Sequence, residues 1–524
     1  MLRYAGCKLR IAAQIECGKD TPGGRRELLA SLSSYAEGGG NPNSAPATAT
    51  AARSDRCAYA NVECRLRHLE REMKVRLLTV LLPLYSIAAT VCTPEGGPGS
   101  SRADLADSVR AAFQHAWSGY KRYAWGHDEL KPVSNGFRDW HDVSLYMTPL
   151  DAFDTMLIMG LRAEAAEAKR LVLDNLTFDH DFSVQVFEIT IRTLGGLISA
   201  YQMDGDPKFL ELATDLANRL LPAFDSRTGM PYRRINLRTG ATEWSVSNPA
   251  EIGTLMLEFG TMSKLTHNQV YYDKAKRAVA AVFDRRSDVG LVGTTINVET
   301  GDWQNTESHI GGMIDSYYEY LLKAWLLFDD EDFKRMWDES IAAVNRHLTD
   351  ERDNGFWYGR SDMHDGNRTQ TVFGALDSFM PAVLALSGDL IRAERLMESC
   401  FSMWTTFEIE PEMLDYSTME VVNAAYPLRP EALESAYYLF RLTGRERYIS
   451  MGQEMFENIV RYTRTESGFA ALETVVARRK ADAMESFFMA ETLKYAYLLF
   501  APEDAIDFGE VIFNTEAHPI RRSW

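Results

Sequence analysis

Three carboxylates stand where a merely solvated acid would not. Glu188, in VFEITIRTLGGLISAY, has only apolar or small neighbours within a turn except Arg192, which lies four residues on and so on the same helix face. Burial raises a carboxyl's pKa unless a cation offsets it, and a general acid needs that environment. Asp315, in GGMIDSYYEYLLKAWLLF, and Glu431, after Pro430 in YPLRPEALESAYYLF, each open an apolar helical stretch. Helix capping by Asp315 and a dipole-complementing role for Glu431 are the competing readings. Glu412, in IEPEMLDY, falls on a connection, where simple solvation competes with a role in chemistry. Glu251 and Glu258 (NPAEIGTLMLEF) and Glu485 and Glu491 (MESFFMAETLKYAYLLF) add four more acids on apolar helices. So many predict an acidic cavity, suited to a polyhydroxylated ligand, a hard cation, or both. Phe487 beside them is either core or a face for stacking a ring.

Other chemistries lack their residues. The sequence has no HExxH, no CxxC, no histidine cluster, no phosphate-binding loop and no Gly-x-Ser-x-Gly elbow, which removes zinc-protease, nucleotide and esterase readings. A net charge of -18 without any compensating run of Lys and Arg argues against nucleic acid. The two acids required for glycoside hydrolysis are easily supplied.

Positioning these acids falls to helices. From about residue 100 onward apolar residues recur at helical spacing, with strand-like alternation only in short stretches such as Leu291 to Val298. A repeated layout runs through the chain: an apolar helix, a short polar turn, then an amphipathic helix. The turns QMDGDPKF, KLTHNQVYY, LFDDEDF, ALSGDL and RLTGRERY stand roughly 55 to 65 residues apart. From Leu105 to Phe500 there is room for about seven such hairpins. The apolar partner reads as an inner helix and the amphipathic one as outer, in an all-α fold that is either an open solenoid or a closed barrel. Acids on several inner helices favour closure, because a ring brings them to one axis. The loops would then cluster at one mouth and shape the site.

The N-terminal part differs. Residues 1–72 are rich in Gly, Ala, Ser and Arg without helical periodicity, and read as a disordered extension or as sequence preceding the true start at Met73. Residues 73–92, MKVRLLTVLLPLYSIAATVC, have the basic start, apolar run and small residues of a secretory signal, with a run short of the ~20 residues a membrane span needs. This predicts a location in the secretory pathway or outside the cytoplasm, with membrane association only through the N-terminal segment. Residues 101–524 form the single large domain. It holds Cys400 as its one cysteine, so no disulfide is internal to it.

Several of these segments, in this order, resemble family 47 of the glycoside hydrolases, the class I α-mannosidases. The resemblance is carried by YKRYAWGHDELKP, PLDAFDTMLIMGL, VFEITIRTLGGLISAY, IDSYYEYLLKAW, LRPEALES, MESFFMAETLKYAYLLF and FNTEAHP, which together span about 400 residues. It implies an (α/α)7 barrel that removes α-1,2-linked mannose from mannose-rich glycans with inversion. By resemblance Glu188 is the acid acting on the leaving group and Glu431 the base that activates water. Asp315 and Glu412 are further catalytic acids. Arg192, Glu251, Arg429, Phe487 and Glu491 match sugar-contacting positions. Thr515, in NTEAHP, resembles a threonine that binds Ca2+ through its backbone and side-chain oxygens, with Glu491 and Glu516 holding the ion's waters.

The chain departs from the endoplasmic reticulum enzymes of that family at two places. Ala375-Leu376-Asp377-Ser378-Phe379 stands where they carry His-Leu-x-Cys-Phe, and Met313 stands where an arginine narrows their specificity. A broader linkage preference is therefore expected. The altered segment also motivates an alternative, a mannose-binding lectin or glycoprotein quality-control factor with weak or no catalysis.

Overall fold

The computed structural model describes residues 101–523. The expected N-terminal extension (1–72) and signal-like segment (73–92) lie outside the described residues. None of the described helices is long and apolar enough to cross a membrane.

The polar turns work as the repeat predicts. Inner helices end on a residue in the left-handed region, Gly205 (φ 87), His267 (φ 57), Asp329 (φ 56) or Gly444 (φ 66), which stops the helical hydrogen-bond ladder. In four of the turns an Asp or Asn then caps the outer helix. Asp206 accepts from the Lys208 amide, Asn268 from Val270, Asp330 from Asp332 and Asp389 from Arg392. The outer helix Glu331–His347 buries Phe333, Met336, Trp337, Ser340, Ala343 and Val344, a single stripe at helical spacing. Its inner partner Asp315–Phe328 buries every residue from Ser316 to Ala324, because neighbours or the barrel axis surround it on all sides.

Seven inner elements follow one another around the axis and close on themselves, forming an (α/α)7 barrel. They begin at Met147, Val186, Pro249, Asp315, Leu376, Glu431 and Phe488. The ring is closed by joining the ends of the domain: the outer partner of the last inner helix, Leu493–Phe500, is the first helix, Arg102–Tyr123. Arg110 donates to the Tyr497 hydroxyl (2.9 Å) and Arg102 to the Ala501 carbonyl (3.1 Å) across that seam.

Short strands are more numerous than the sequence suggested, and they occupy the connections. The expected strand at Leu291–Val298 is Thr295–Asn297. Ser183–Gln185, which leads into the second inner element, pairs antiparallel with Arg234–Asn236 from the next connection. Val246–Ser247 pairs likewise with Thr295–Asn297, and Val372–Gly374 with Met413–Asp415. Each connection is thereby laced to the next around one mouth, where the inner helices have their N-termini.

The opposite end is filled by a C-terminal hairpin, Val511–Phe513 paired with Pro519–Arg521. The Arg521 amide donates to Gln202, near the C-terminal end of an inner helix, and the tip, Asn514 to His518, runs inward along the axis. Asn514 donates to Glu258 (2.8 Å) and to the Ile191 carbonyl (3.0 Å). A Cβ on Gly195 would lie 2.6 Å from the Asn514 amide nitrogen, so only glycine allows this approach. Below the tip, Asp154 pairs with Lys494 and His518 at 2.7 Å each, all three fully enclosed, and Lys494 donates to the Ala517 carbonyl.

Burial disfavours the charged forms of both Asp154 and His518, but their partners outweigh it. Lys494 and His518 hold Asp154 down at about 2, and Asp154 and Asp151 lift His518 to about 9. A raised histidine pKa contributes stability that is fully present below the unfolded value of ~6.5 and disappears as pH rises through about 9. Asp154→Asn leaves buried Lys494 without its carboxylate and His518 with Asp151 alone, and urea unfolding should show a loss of about 3–5 kcal/mol at pH 6.5 together with a flatter stability profile between pH 6.5 and 9.

Candidate active site

A cavity of about 400 Å3 opens at the laced mouth and ends on the hairpin tip. Every residue singled out for a site role lines it except Glu412. Glu188 and Arg192 come from the second inner element, Glu251 from the third, Asp315 from the fourth, and Glu431 with the preceding Arg429 from the sixth. Phe487 and Glu491 come from the seventh, and Thr515 from the tip. Glu412 stands behind the wall and reaches the cavity through Arg429, whose Nε and Nη2 donate to its two oxygens (3.1 and 2.6 Å). It is paired rather than simply solvated.

Glu188 and Arg192 do share a face, with Nε donating to Oε2 at 2.9 Å, but the backbone between them is not a regular α-helix. Ile189–Leu194 is a π-turn, and a second one, Phe488–Thr492, carries Glu491. Such wide turns alter the direction of the side chains they carry and recur at functional sites. Arg192 also pairs with Glu516, and its guanidinium lies 5.4 Å from the Trp140 ring and 5.6 Å from that of Phe487. Phe487 has Arg429 at 6.0 Å as well and is 8% exposed, so it is both core and cavity wall. Glu251 accepts from Gln185 (2.8 Å), Arg233 (3.0 Å) and Ser247 (3.3 Å).

Asp315 is not a cap. Ile314 holds the N-cap position, while Asp315 is the first helical residue and its Oδ1 accepts from the Ser316 amide (2.9 Å). Burial lifts its carboxyl to about 6. Glu431 begins the helix Glu431–Thr443, and burial lifts it to about 7 despite Arg429 beside it. Its Oε2 is buried without a hydrogen-bond partner among the described residues.

At the base of the cavity Glu319, Glu434, Glu491 and Glu516 converge with Thr515. Lys323 donates to Glu319 (2.5 Å) and lies 3.9 Å from Glu434, which also accepts from the Tyr495 hydroxyl (3.1 Å). Burial and then repulsion from Glu516 push Glu491 upward, and burial with Asp151 and Glu188 nearby lifts Glu516 to about 8 against the pull of Arg192. No described residue donates to the hydroxyl or carbonyl oxygen of Thr515, whose amide donates to Tyr320.

Two acids expected in the cavity are elsewhere. Glu258 lies beneath it, bonded to Tyr320 and Asn514, because the tip intervenes. Glu485 is on the rim with Arg138. Conversely, Glu319, Lys323 and Glu434 were not singled out, although helical spacing from Asp315 (i+4, i+8) and Glu431 (i+3) puts them on the same faces. Asp377, within the altered Ala375–Phe379 segment, is buried, accepts from the Gly374 amide (2.7 Å) and is lifted by burial to about 7. Glu410 had no sequence signal. It is fully buried beside Glu431 and Glu412, and neither of its oxygens has a hydrogen-bond partner among the described residues.

A closed barrel of helix pairs with an acid-lined pit on its axis is the class of fold and site that this chain presents. The chain belongs to glycosyl hydrolase family 47, whose sequence profile matches residues 112–522. It is 36% identical over 451 residues to alpha-mannosidase I MNS5 of Arabidopsis thaliana, covering 80% of this chain and 78% of that one. It is 37% identical over 485 residues to ER degradation-enhancing alpha-mannosidase-like protein 2 of Mus musculus (85% and 82% covered), and 35% identical over 450 residues to mannosyl-oligosaccharide 1,2-alpha-mannosidase IB of Homo sapiens (79% and 69%). Among solved structures, the alpha-1,2-mannosidase from Trichoderma reesei matches with a TM-score of 0.74 and 29% identity, over 81% of this chain and all of that one. Cellobiose 2-epimerase from Spirochaeta thermophila (TM-score 0.52, 12% identity, 76% of this chain and 94% of that one) shares the fold alone.

An orphaned buried carboxyl such as Glu410 destabilises a fold, and replacing it with an apolar group of similar size removes the desolvation term. Glu410→Met should raise stability by about 1–4 kcal/mol in urea unfolding.

Proposed function

We propose that this chain is a calcium-dependent exo-glycosidase that hydrolyses terminal α-1,2-linked mannose from mannose-rich oligosaccharides or N-glycans with inversion of configuration. The observation that carries the reading is the convergence of Glu188, Asp315 and Glu431, from three different inner helices, on one cavity in a family 47 chain. The printed names of its relatives support α-1,2-mannose as the substrate class.

Glu431 is the base. Its unpartnered Oε2 is free to accept a proton from water, and a carboxyl near 7 is balanced between holding and taking one. As that water adds to the anomeric carbon, the glycosidic C–O bond breaks on the other face. Glu188, with Asp315 as a second proton-holding group, supplies the proton that the leaving oxygen takes up. Inversion follows because the nucleophile and the leaving group occupy opposite faces. Arg192, Arg429 and Glu251 offer fixed donors and acceptors to hydroxyl groups, and Phe487 an apolar wall.

The residues present fit a calcium ion. The base of the cavity offers only oxygen donors, its acids outnumber its cations, and both free oxygens of Thr515 are available. Thr515 would hold the ion directly, with Glu491, Glu516, Glu319 and Glu434 holding its waters. Bound there, calcium would supply positive charge and take sugar hydroxyls as ligands. The relatives named for the endoplasmic reticulum support a location in the secretory pathway.

The resemblance to degradation-enhancing mannosidase-like proteins favours a second reading, a mannose-binding quality-control factor with weak or no catalysis. NMR of a digest of α-1,2-mannobiose separates the two. The β anomer of mannose should appear first, and chelation should stop the reaction until calcium is restored. Initial α product overturns inversion, and absence of turnover in calcium favours the second reading. Glu431→Gln should lower kcat by about 10²–10⁴ with little change in KM, measured as initial rates.

A further inference from the structure

An asparagine followed two residues later by Ser or Thr, with any residue but Pro between, is the acceptor for N-linked glycans in chains that enter the secretory lumen. The sequence holds two such triplets, Asn175-Leu176-Thr177 and Asn367-Arg368-Thr369. Both are anchored by the middle residue. Leu176 is buried, while Asn175 and Thr177 on either side of it are exposed. The Arg368 guanidinium donates to the Leu348 and Thr349 carbonyls (2.9 Å each), while Asn367 and Thr369 are exposed.

The two differ in what lies beside them. The side-chain amide of Asn367 donates to Asp365 (2.7 Å), and the Thr369 hydroxyl donates to Glu307 (3.2 Å). Asn175 instead ends the helix Arg162–Asn175 and stands at the edge of a groove of about 500 Å3. Its Nδ2 donates to the Leu171 carbonyl (2.8 Å), which uses one of its two N–H groups and leaves the other for substitution. The opposite bank is the first helix, Arg102–Tyr123, with Lys121 and, just past the helix end, Trp125. Trp125 is 39% exposed and meets Trp117 (5.8 Å) and Tyr120 (6.1 Å) at an edge, so part of its indole is left to the groove. Lys121 and Glu167 pair across the groove. A second hollow, of about 460 Å3, shares those two residues and continues between the same two helices toward Trp117. An aromatic face flanked by matched charges suits a neutral sugar, and Asn175 is placed to tether one there.

We propose that Asn175 is an N-glycosylation site and that the first sugars of its glycan lie in this groove against Trp125. The co-substrate is a lipid-pyrophosphate-linked oligosaccharide, supplied with its transferase by the secretory lumen. Asn175 Nδ2 forms a bond to the anomeric carbon of the first sugar, and the bond from that carbon to the pyrophosphate oxygen breaks. The lipid pyrophosphate leaves with the electron pair, and one of the two amide protons passes to solvent. The remaining N–H is enough to keep the bond to Leu171. Seated in the groove, the glycan bridges the helix Arg162–Asn175 to the helix that closes the ring, and so supports the seam. The proposal rests on the secretory location inferred above and shares no residue with the glycosidase site.

The test uses the full chain made in a eukaryotic secretory host, with its location read separately by protease protection of microsomes. Amidase release of N-glycans in heavy-oxygen water, followed by peptide mass mapping, should leave a labelled aspartate at position 175 in the parent and in Thr177→Ser, and none in Thr177→Ala. The urea midpoint of Thr177→Ala should lie below that of the parent by about 0.2–0.5 M, and this gap should vanish when both carry Trp125→Ala. A lumenal chain that is unmodified, or modified at Asn367 alone, overturns the site. Modified Asn175 with an absent gap, or with a gap that persists in the Trp125→Ala background, overturns the seating in the groove. A chain outside the lumen overturns the location reading, and the modification falls with it.

Discussion

Repulsion among carboxylates held out of water is the constraint on which the rest of the structure depends. Eight acids line the axial cavity (Glu188, Glu251, Asp315, Glu319, Glu431, Glu434, Glu491 and Glu516) against three guanidiniums, Arg192, Arg233 and Arg429. An open solenoid would let these groups separate and hydrate. A closed ring does not, because each inner helix is wedged between two others and backed by an outer partner. Joining Arg102–Tyr123 to the last inner helix is therefore more than a packing detail, since that seam keeps the acids together.

The remaining features moderate the same repulsion. Inner helices present their N-termini at the mouth, so Asp315 and Glu431 begin helices whose dipoles favour negative charge. Burial still dominates and leaves both as acids that titrate near neutrality. Each arginine serves more than one acid: Arg192 pairs with Glu188 and Glu516, while Arg429 grips Glu412 and sits beside Glu431. Thr515 brings uncharged oxygens to the most crowded part of the site, where another carboxylate would add to the repulsion. An excess of negative charge around neutral oxygen ligands is the electrostatic situation in which a hard divalent cation binds well.

Much of this was legible in the sequence because periodicity and composition report burial. Glu188, Asp315, Glu431 and Glu491 are conspicuous as acids in apolar helices, and the turns announce the hairpins through Asp206, Asn268, Asp330 and Asp389. What was not legible depends on contacts distant in sequence. Nothing in NPAEIGTLMLEF says that Glu258 lies under the hairpin tip, since its partner Asn514 is more than two hundred residues away. The π-turns at Ile189–Leu194 and Phe488–Thr492 have no compositional mark either, because their widened bonds are imposed by neighbours. Glu410 looks like any acid on a polar connection until the fold encloses it. The roles assigned by resemblance rest on matched segments, and geometry alone adds to them the order of the groups around the axis.

The C-terminal hairpin links architecture to the kind of bond the site can accept. Its tip is locked to the inner helices by His518, Asp154 and Lys494, and it fills the axis from the far end up to Thr515 and Glu516. The axial cavity is therefore blind. An internal unit of a long chain needs an exit on both sides, and a blind pit offers none, so the pit admits only the end of a chain. The rest of such a chain remains at the mouth, among the laced connections. Admission of a chain end and exposure of the rest of the ligand at the mouth are thus two consequences of sealing one end of the ring, and the seal is the same buried ion cluster that holds the domain's last strands in place.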